Sequence, residues 1–199
     1  MNGLTRDFFL GDTLALSRRL LGCMLWHDTP EGLTAGRIVE TEAYCGETDA
    51  AAHSYRRRAP EGRTSVMYGP GGYAYVYLIY GMHCCMNVVS GPAGTPHAVL
   101  IRALEPVEGL SLMSRRRGRE KPTELCSGPG KLCAAMGIDR RCYGLDLLDS
   151  SLYLTPGEPV PERDIAVSKR IGVDYAGEAA DYPWRFYIRG NPHVSRPRG

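Results

Sequence analysis

Hydrophobic and polar positions fall in short runs broken by glycine and proline, and strand-like runs outnumber helical ones. Asp12-Thr13 followed by LALSRRLLG predicts an N-capped helix closed by Gly22. Residues 23–28 and 34–45 read as two strands around a turn at Thr29-Pro30-Glu31-Gly32. Residues 50–72 are punctuated by Pro60, Gly62, Gly69, Pro70, Gly71 and Gly72 and read as loop. YAYVYLIY (73–80) carries the strongest strand signal. After a break at Gly81-Met82 it pairs with HCCMNVV (83–89) as an extended hairpin. Ala98 to Leu104 is a further strand, and Glu105-Pro106 is expected to open a short helix ending near Arg115-Arg116-Arg117-Gly118. Ser127 can cap another helix, with Pro129 in its first turn and Gly137 just past its end. Short strands are expected at 151–155 and 184–189. There is no βαβ rhythm and no internal repeat. The expected class is α+β, one domain over 1–199, with a curved, mostly antiparallel sheet, flanking helices and a protruding hairpin.

Composition narrows the classes. Of 199 residues, 43% are hydrophobic and 23% charged, ordinary values for a chain that folds around a core. No apolar run approaches the roughly 18–20 residues of a membrane span, so no membrane association is expected. The opening MNGLTRDFFLGDTLALSRRL places acids and arginines too early for a secretory signal, so a cytoplasmic protein is expected. The net charge is only +2, but just Lys121, Lys131 and Lys169 are lysines among 24 basic residues. Arginine's planar fork suits phosphate, although a GC-rich genome also raises arginine. Cys23, Cys45, Cys84, Cys85, Cys126, Cys133 and Cys142 form no CxxC pair. They read as small buried hydrophobes, with no metal and no cofactor expected.

In RIVETEAY (37–44) strand alternation puts Glu40, Glu42 and Tyr44 on one face. That face is either the wet side of a sheet or a carboxylate set beside an aromatic plate, suited to activating water next to a flat substrate. Tyr80-Gly81-Met82 puts a large aromatic and a methionine at a hairpin tip, where turns normally carry polar residues. Such a wedge is what minor-groove binders push between base pairs. Arg102 lies inside an apolar strand, where arginine needs an anionic partner; Glu42 is the candidate. CSGPGKL lacks the glycine and the hydroxyl residue of a phosphate-binding P-loop, so Lys131 is no Walker lysine.

Taken in order, RIVETEAY, AAHSYR, YAYVYLIYGMHCCMNVV, VLIRALEP, ELCSGPGKL and WRFYIRGNPHVS resemble the alkyladenine (3-methyladenine) DNA glycosylase family over about residues 4–195. The HCC stretch is more similar to bacterial members than to mammalian ones, and the long N-terminal tail of the latter is not expected. The resemblance implies a monomer that works at the nucleoid on double-stranded DNA, turns a damaged purine out of the stack and hydrolyses its N-glycosidic bond, leaving an abasic site. It implies that Glu42 activates the water, with Arg102 and the Val173 carbonyl helping to hold it. Tyr44 would stack on one face of the base, His53 and Tyr77 on the other. Backbone groups around Ala51 and His53 would read the base edge, and Asn87 would crowd the amine of normal guanine. Tyr80 would fill the gap in the duplex with Met82 beside it. Arg56, Arg57 and Arg58 are assigned to phosphate contacts, against the alternative of a solvated loop.

The physics of the residues agrees with this implication. Glu42 and Tyr44 are two apart on a strand, so water activation and base stacking can share a face. Glu42 must stay ionised while the sugar becomes oxocarbenium-like, and a cation beside it is expected. No lysine sits in a catalytic-looking setting, so no Schiff-base lyase step is expected. Two competing classes are a lesion-binding module that does not cut and a hydrolase of free nucleosides. Glu42 argues against the first, the Tyr80 wedge against the second.

Overall fold

The computed structural model describes residues 3–56 and 62–196. Helix α1 spans Thr13–Leu20, with the Asp12 side chain accepting a hydrogen bond from the Ala15 N–H at its start. Strands β1 (Met24–Thr29) and β2 (Gly32–Tyr44) form the first hairpin. Strands β3 (Ala74–Ile79) and β4 (His83–Ser90) form the second, followed by β5 (His97–Glu108). Helices α2 (Leu110–Arg117), α3 (Pro122–Leu125) and α4 (Pro129–Met136) come next, then β6 (Leu152–Thr155), β7 (Ile165–Ser168) and β8 (Arg185–Ile188). All strand pairings are antiparallel, in the order β3-β4-β5-β2-β1-β6, with β8 joining β2 to β7. The fold is therefore α+β with an open antiparallel sheet, as the hydrophobic pattern predicts.

Two expectations need correction. The chain does not turn helical at Glu105-Pro106; β5 runs on to Glu108, and α2 starts only after Gly109, whose φ is +73°. Pro106 is tolerated because it lies opposite Gly36 at a break in register, where a missing N–H disturbs no regular ladder. Ser127 is not the cap of α4: Gly128 is, and no side chain caps this end. Strand β7 had no clear signature, being four residues long (IAVS) and defined by its pairing with β8.

Strand β2 positions the site. One edge pairs with β5; the other pairs first with β1 and then, over Glu40–Glu42, with β8. Its register against β5 is broken between Ala35 and Gly36 and twice more around Glu40. Ile38 faces Leu104, Glu40 faces Ala103 and Thr41 faces Ile101, so the ladder skips Val39 on β2 and Arg102 on β5. Bulges of this kind re-aim side chains. Here they let Arg102 meet both Glu40 and Glu42. The main core lies beneath α1 and α4, where Leu16, Leu20, Leu25, Ile38, Met86, Ile101, Leu132 and Met136 are almost fully buried. Among the described residues no helix is long and apolar enough to cross a membrane.

Candidate active site

Residues directly opposite one another in an antiparallel pair point to the same face. The register makes one such row of Glu42, Leu100, Asn87 and Tyr75, running across β2, β5, β4 and β3. The next rows add Tyr44 with Ala98, and Tyr77 with Cys85. Except for Glu42, all these side chains line one cavity of about 540 Å³. Loops close it with Ala51, His53, Arg63, Met67, Gly172, Val173 and Tyr175, and Arg102 and Tyr80 border it too.

Glu42 sits behind the cavity wall with no exposed surface. The face of β2 that could have been the wet side of a sheet is thus buried, and its acids are paired. Glu42 Oε1 accepts the Ile171 N–H at 2.8 Å, Oε2 accepts the Tyr44 hydroxyl at 2.8 Å, and Arg102 Nη1 lies 3.3 Å from Oε2. A carboxylate offers roughly four acceptor directions, and among the described residues these three partners are the ones Glu42 meets. Glu40 anchors the opposite side of Arg102. It accepts Arg102 Nε at 3.1 Å, Arg185 Nε at 2.7 Å, and both the N–H and the hydroxyl of Ser195, at 2.7 and 2.8 Å. Burial pushes the Glu40 carboxyl up, but Arg102 and Arg185 outweigh it and hold the group below the usual carboxylate range. Burial likewise opposes the charge of Arg102, and Glu42 and Glu40 more than offset it.

The aromatic walls are fixed as well. Burial, and then the charge of Glu42, drive the Tyr44 phenol well above its ordinary pKa, so it serves as a neutral donor. Behind Tyr44 the guanidinium of Arg170 forms a buried ion pair with Asp49. On the other side His53 Nδ1 lies 2.8 Å from the Tyr75 hydroxyl. The His53 and Tyr77 rings are 4.5 Å apart at 74°, so only one of them can lie flat against a planar ligand. Burial pushes the Cys85 thiol, which touches Tyr77, up to about 11. The Val173 carbonyl accepts the Ala176 N–H at 2.9 Å and retains a second lone pair. The Asn87 amide donates to the Tyr75 carbonyl at 3.1 Å, which fixes its orientation.

Tyr80 and Met82 stand at the tip of the β3–β4 hairpin, 85% and 73% exposed. Tyr80 has φ +53° and Gly81 φ +71°, the positive pair that a tight hairpin turn demands. Arg56 is exposed, also with positive φ (+59°), and lies 5.1 Å over the Tyr55 ring; Arg57 and Arg58 lie outside the described residues. Among the described residues no group of three His, Cys, Asp or Glu is placed to hold a metal ion.

The fold thus gathers Tyr44, Ala51, His53, Tyr77, Tyr80, Asn87, Arg102 and Val173 around one cavity, with Glu42 directly behind it. Sequence reasoning missed the Asp49–Arg170 pair, the Ile171 N–H and Tyr175. Tyr175 is 70% exposed at the mouth, and its hydroxyl donates to the Ala51 carbonyl at 3.2 Å. Strand parity could have added Tyr75 and Leu100; nothing local marks the rest.

The profile of the family described as Methylpurine-DNA glycosylase (MPG) matches residues 7–192. A Bacillus licheniformis protein described as "Putative 3-methyladenine DNA glycosylase" is 50% identical over 194 residues, covering 97% of this chain and 96% of its own. Proteins of the same description from Clostridium acetobutylicum and Desulfitobacterium hafniense are each 47% identical, covering 96% and 98% of this chain and 97% and 99% of theirs. With a cavity walled by aromatic rings, a buried acid at its back and a match along nearly the whole chain, the protein belongs to the methylpurine-DNA glycosylase family.

Proposed function

We propose that the protein removes damaged purines from double-stranded DNA by hydrolysing their N-glycosidic bond, with Glu42 as general base. Its substrates are alkylated, deaminated and etheno purines such as 3-methyladenine, 7-methylguanine, hypoxanthine and ethenoadenine. The observation that carries this reading is the Glu42 carboxylate, fully buried, held by Ile171, Tyr44 and Arg102, and backing directly onto the aromatic cavity.

The reaction follows from the groups present. The damaged nucleotide leaves the stack at a cost of a few kcal/mol, least where pairing is already weakened. Tyr80 enters the space it vacates and opposes re-closure, with Met82 beside it. The base slides between Tyr44 and the His53–Tyr77 side, where stacking returns about 1–3 kcal/mol. The edge of the base meets backbone groups around Ala51 and His53, and Asn87 crowds the exocyclic amine of guanine. As the C1′–N bond breaks, positive charge grows on the sugar. Glu42 stabilises that charge while it takes the proton from the attacking water. Arg102 and the Val173 carbonyl hold the water against C1′. None of the three lysines lines the cavity, which supports a monofunctional enzyme that leaves an abasic site uncut. Arg56 is assigned to the phosphate backbone. Losing a phosphate contact should flatten the salt dependence of binding by about 0.9 in log–log slope.

The test is to incubate the protein with duplexes containing 7-methylguanine or hypoxanthine and, separately, with free inosine. Base release from duplex alone is the expected result. Tight binding without release would make the protein a lesion sensor, and release from inosine would make it a nucleoside hydrolase.

A further inference from the structure

The two faces of Tyr44 meet different surroundings. One contributes to the cavity wall. The other carries the guanidinium of Arg170, whose central carbon lies 4.8 Å from the ring centroid. The Arg170 side chain is fully buried and does not line the cavity, so the face it covers is the rear one. Its position is fixed on several sides. Nη1 donates to Asp49 Oδ2 at 2.5 Å and to the Ala43 carbonyl at 3.0 Å. Nη2 donates to Asp49 Oδ1 at 2.9 Å and to the Ala179 carbonyl at 2.8 Å. The same guanidinium lies 5.0 Å from the Trp184 ring. No rotamer change can move this cation away without breaking the whole set.

An aromatic ring attracts cations through the electron density on its faces. A guanidinium against one face already draws on that density. A second cation approaching the opposite face meets a weakened quadrupole and, behind it, a like charge. A purine stacked on Tyr44 would lie about 3.5–4 Å from the ring, hence about 8 Å from the guanidinium. Asp49 cancels much of the long-range field, so the effect is confined to whatever lies flat on this ring. A neutral base of the same shape meets no like-charge repulsion.

We infer that Arg170 is a specificity-determining residue of the slot, handicapping purines that carry a formal positive charge relative to neutral damaged purines. This rests on the reading that the slot takes an extruded purine. Its consequence is a levelling of substrates. Positively charged alkylated purines already leave the sugar easily, and a slot that does not reward their charge lets neutral deaminated and etheno purines compete.

The test is a ratio: kcat/KM for 7-methylguanine divided by kcat/KM for hypoxanthine, in the same duplex sequence and one preparation, so that any inactive fraction cancels. Asp49→Asn with Arg170→Gln replaces the ion pair by amides and leaves no lone buried charge. This double variant should raise the ratio by about three- to tenfold, the worth of a partly desolvated cation–π contact. Arg170→Lys, which keeps the charge, should stay within about twofold of the parent ratio. If the amide pair does not fold, Asp49→Asn with Arg170→Met gives the same readout, since it removes both charges and keeps a side-chain oxygen for the Ala51 N–H that Asp49 holds. An unchanged ratio in a folded, charge-free variant overturns the inference while leaving the glycosylase reading intact. Failure of the parent protein to release either base overturns that reading instead.

Discussion

Tyr44 and Tyr80 belong to the same working surface and live under opposite rules. Tyr44 is held at its hydroxyl by Glu42 and at its rear face by Arg170. Tyr80 is 85% exposed and adopts a left-handed backbone that costs a non-glycine residue about 1–2 kcal/mol. The interior site also carries a cost, since its acids and arginines have been taken out of water, but there the partners are inside the protein. At the tip the side chain is instead left in solvent. The comparison teaches that the deep wall is held in place by partners inside the fold, whereas the tip carries exposed apolar surface and a left-handed backbone with no such enclosure.

The largest expected effect breaks the interior half. Glu42→Gln should lower single-turnover excision by about 10²–10⁴-fold while lesion binding stays close to that of the parent. An unchanged rate would remove Glu42 from the chemistry. Glu40→Ala should act on stability, because it takes from buried Arg185 its carboxylate partner and leaves buried Arg102 with Glu42 alone. A loss of about 3–5 kcal/mol is expected in urea unfolding. The tip should behave in the opposite sense. Tyr80→Gly should slow excision from duplex by about tenfold, the worth of one lost stacking contact. Excision from a single strand should be spared and folding stability unchanged or raised by up to about 1 kcal/mol. Equal losses on both substrates would end the wedge assignment. The smallest effect is in pH. The folded Glu40 carboxyl sits below its ordinary value near 4.5, so its contribution to stability is constant above that pH. It is lost as the pH falls through the lowered value. Urea midpoints of the parent protein should therefore decline below about pH 4.5, and those of Glu40→Gln more gently.

Much of this arrangement was readable before the fold was seen. Alternation in RIVETEAY placed Glu42 beside Tyr44, and the hydroxyl–carboxylate bond realises it. The hairpin and its apolar tip were legible because glycine and aromatic residues sit where turns are polar. Arg102 was flagged as needing an anion, but its double pairing depends on two register breaks that no propensity announces. The Asp49–Arg170 clamp joins positions 121 apart, and neither residue is unusual in its local setting. The strand through Pro106 was misread because proline is an ordinary helix opener. Only the facing Gly36 shows why it is tolerated in the ladder.

Cys85 has a consequence of a different sort. It borders the cavity, and alkylating agents attack sulfur once it is deprotonated. With its thiol pushed up to about 11, the reactive anion amounts to about one molecule in 10⁴ at neutral pH. A cysteine on the wall of the cavity is thereby kept in its less reactive form.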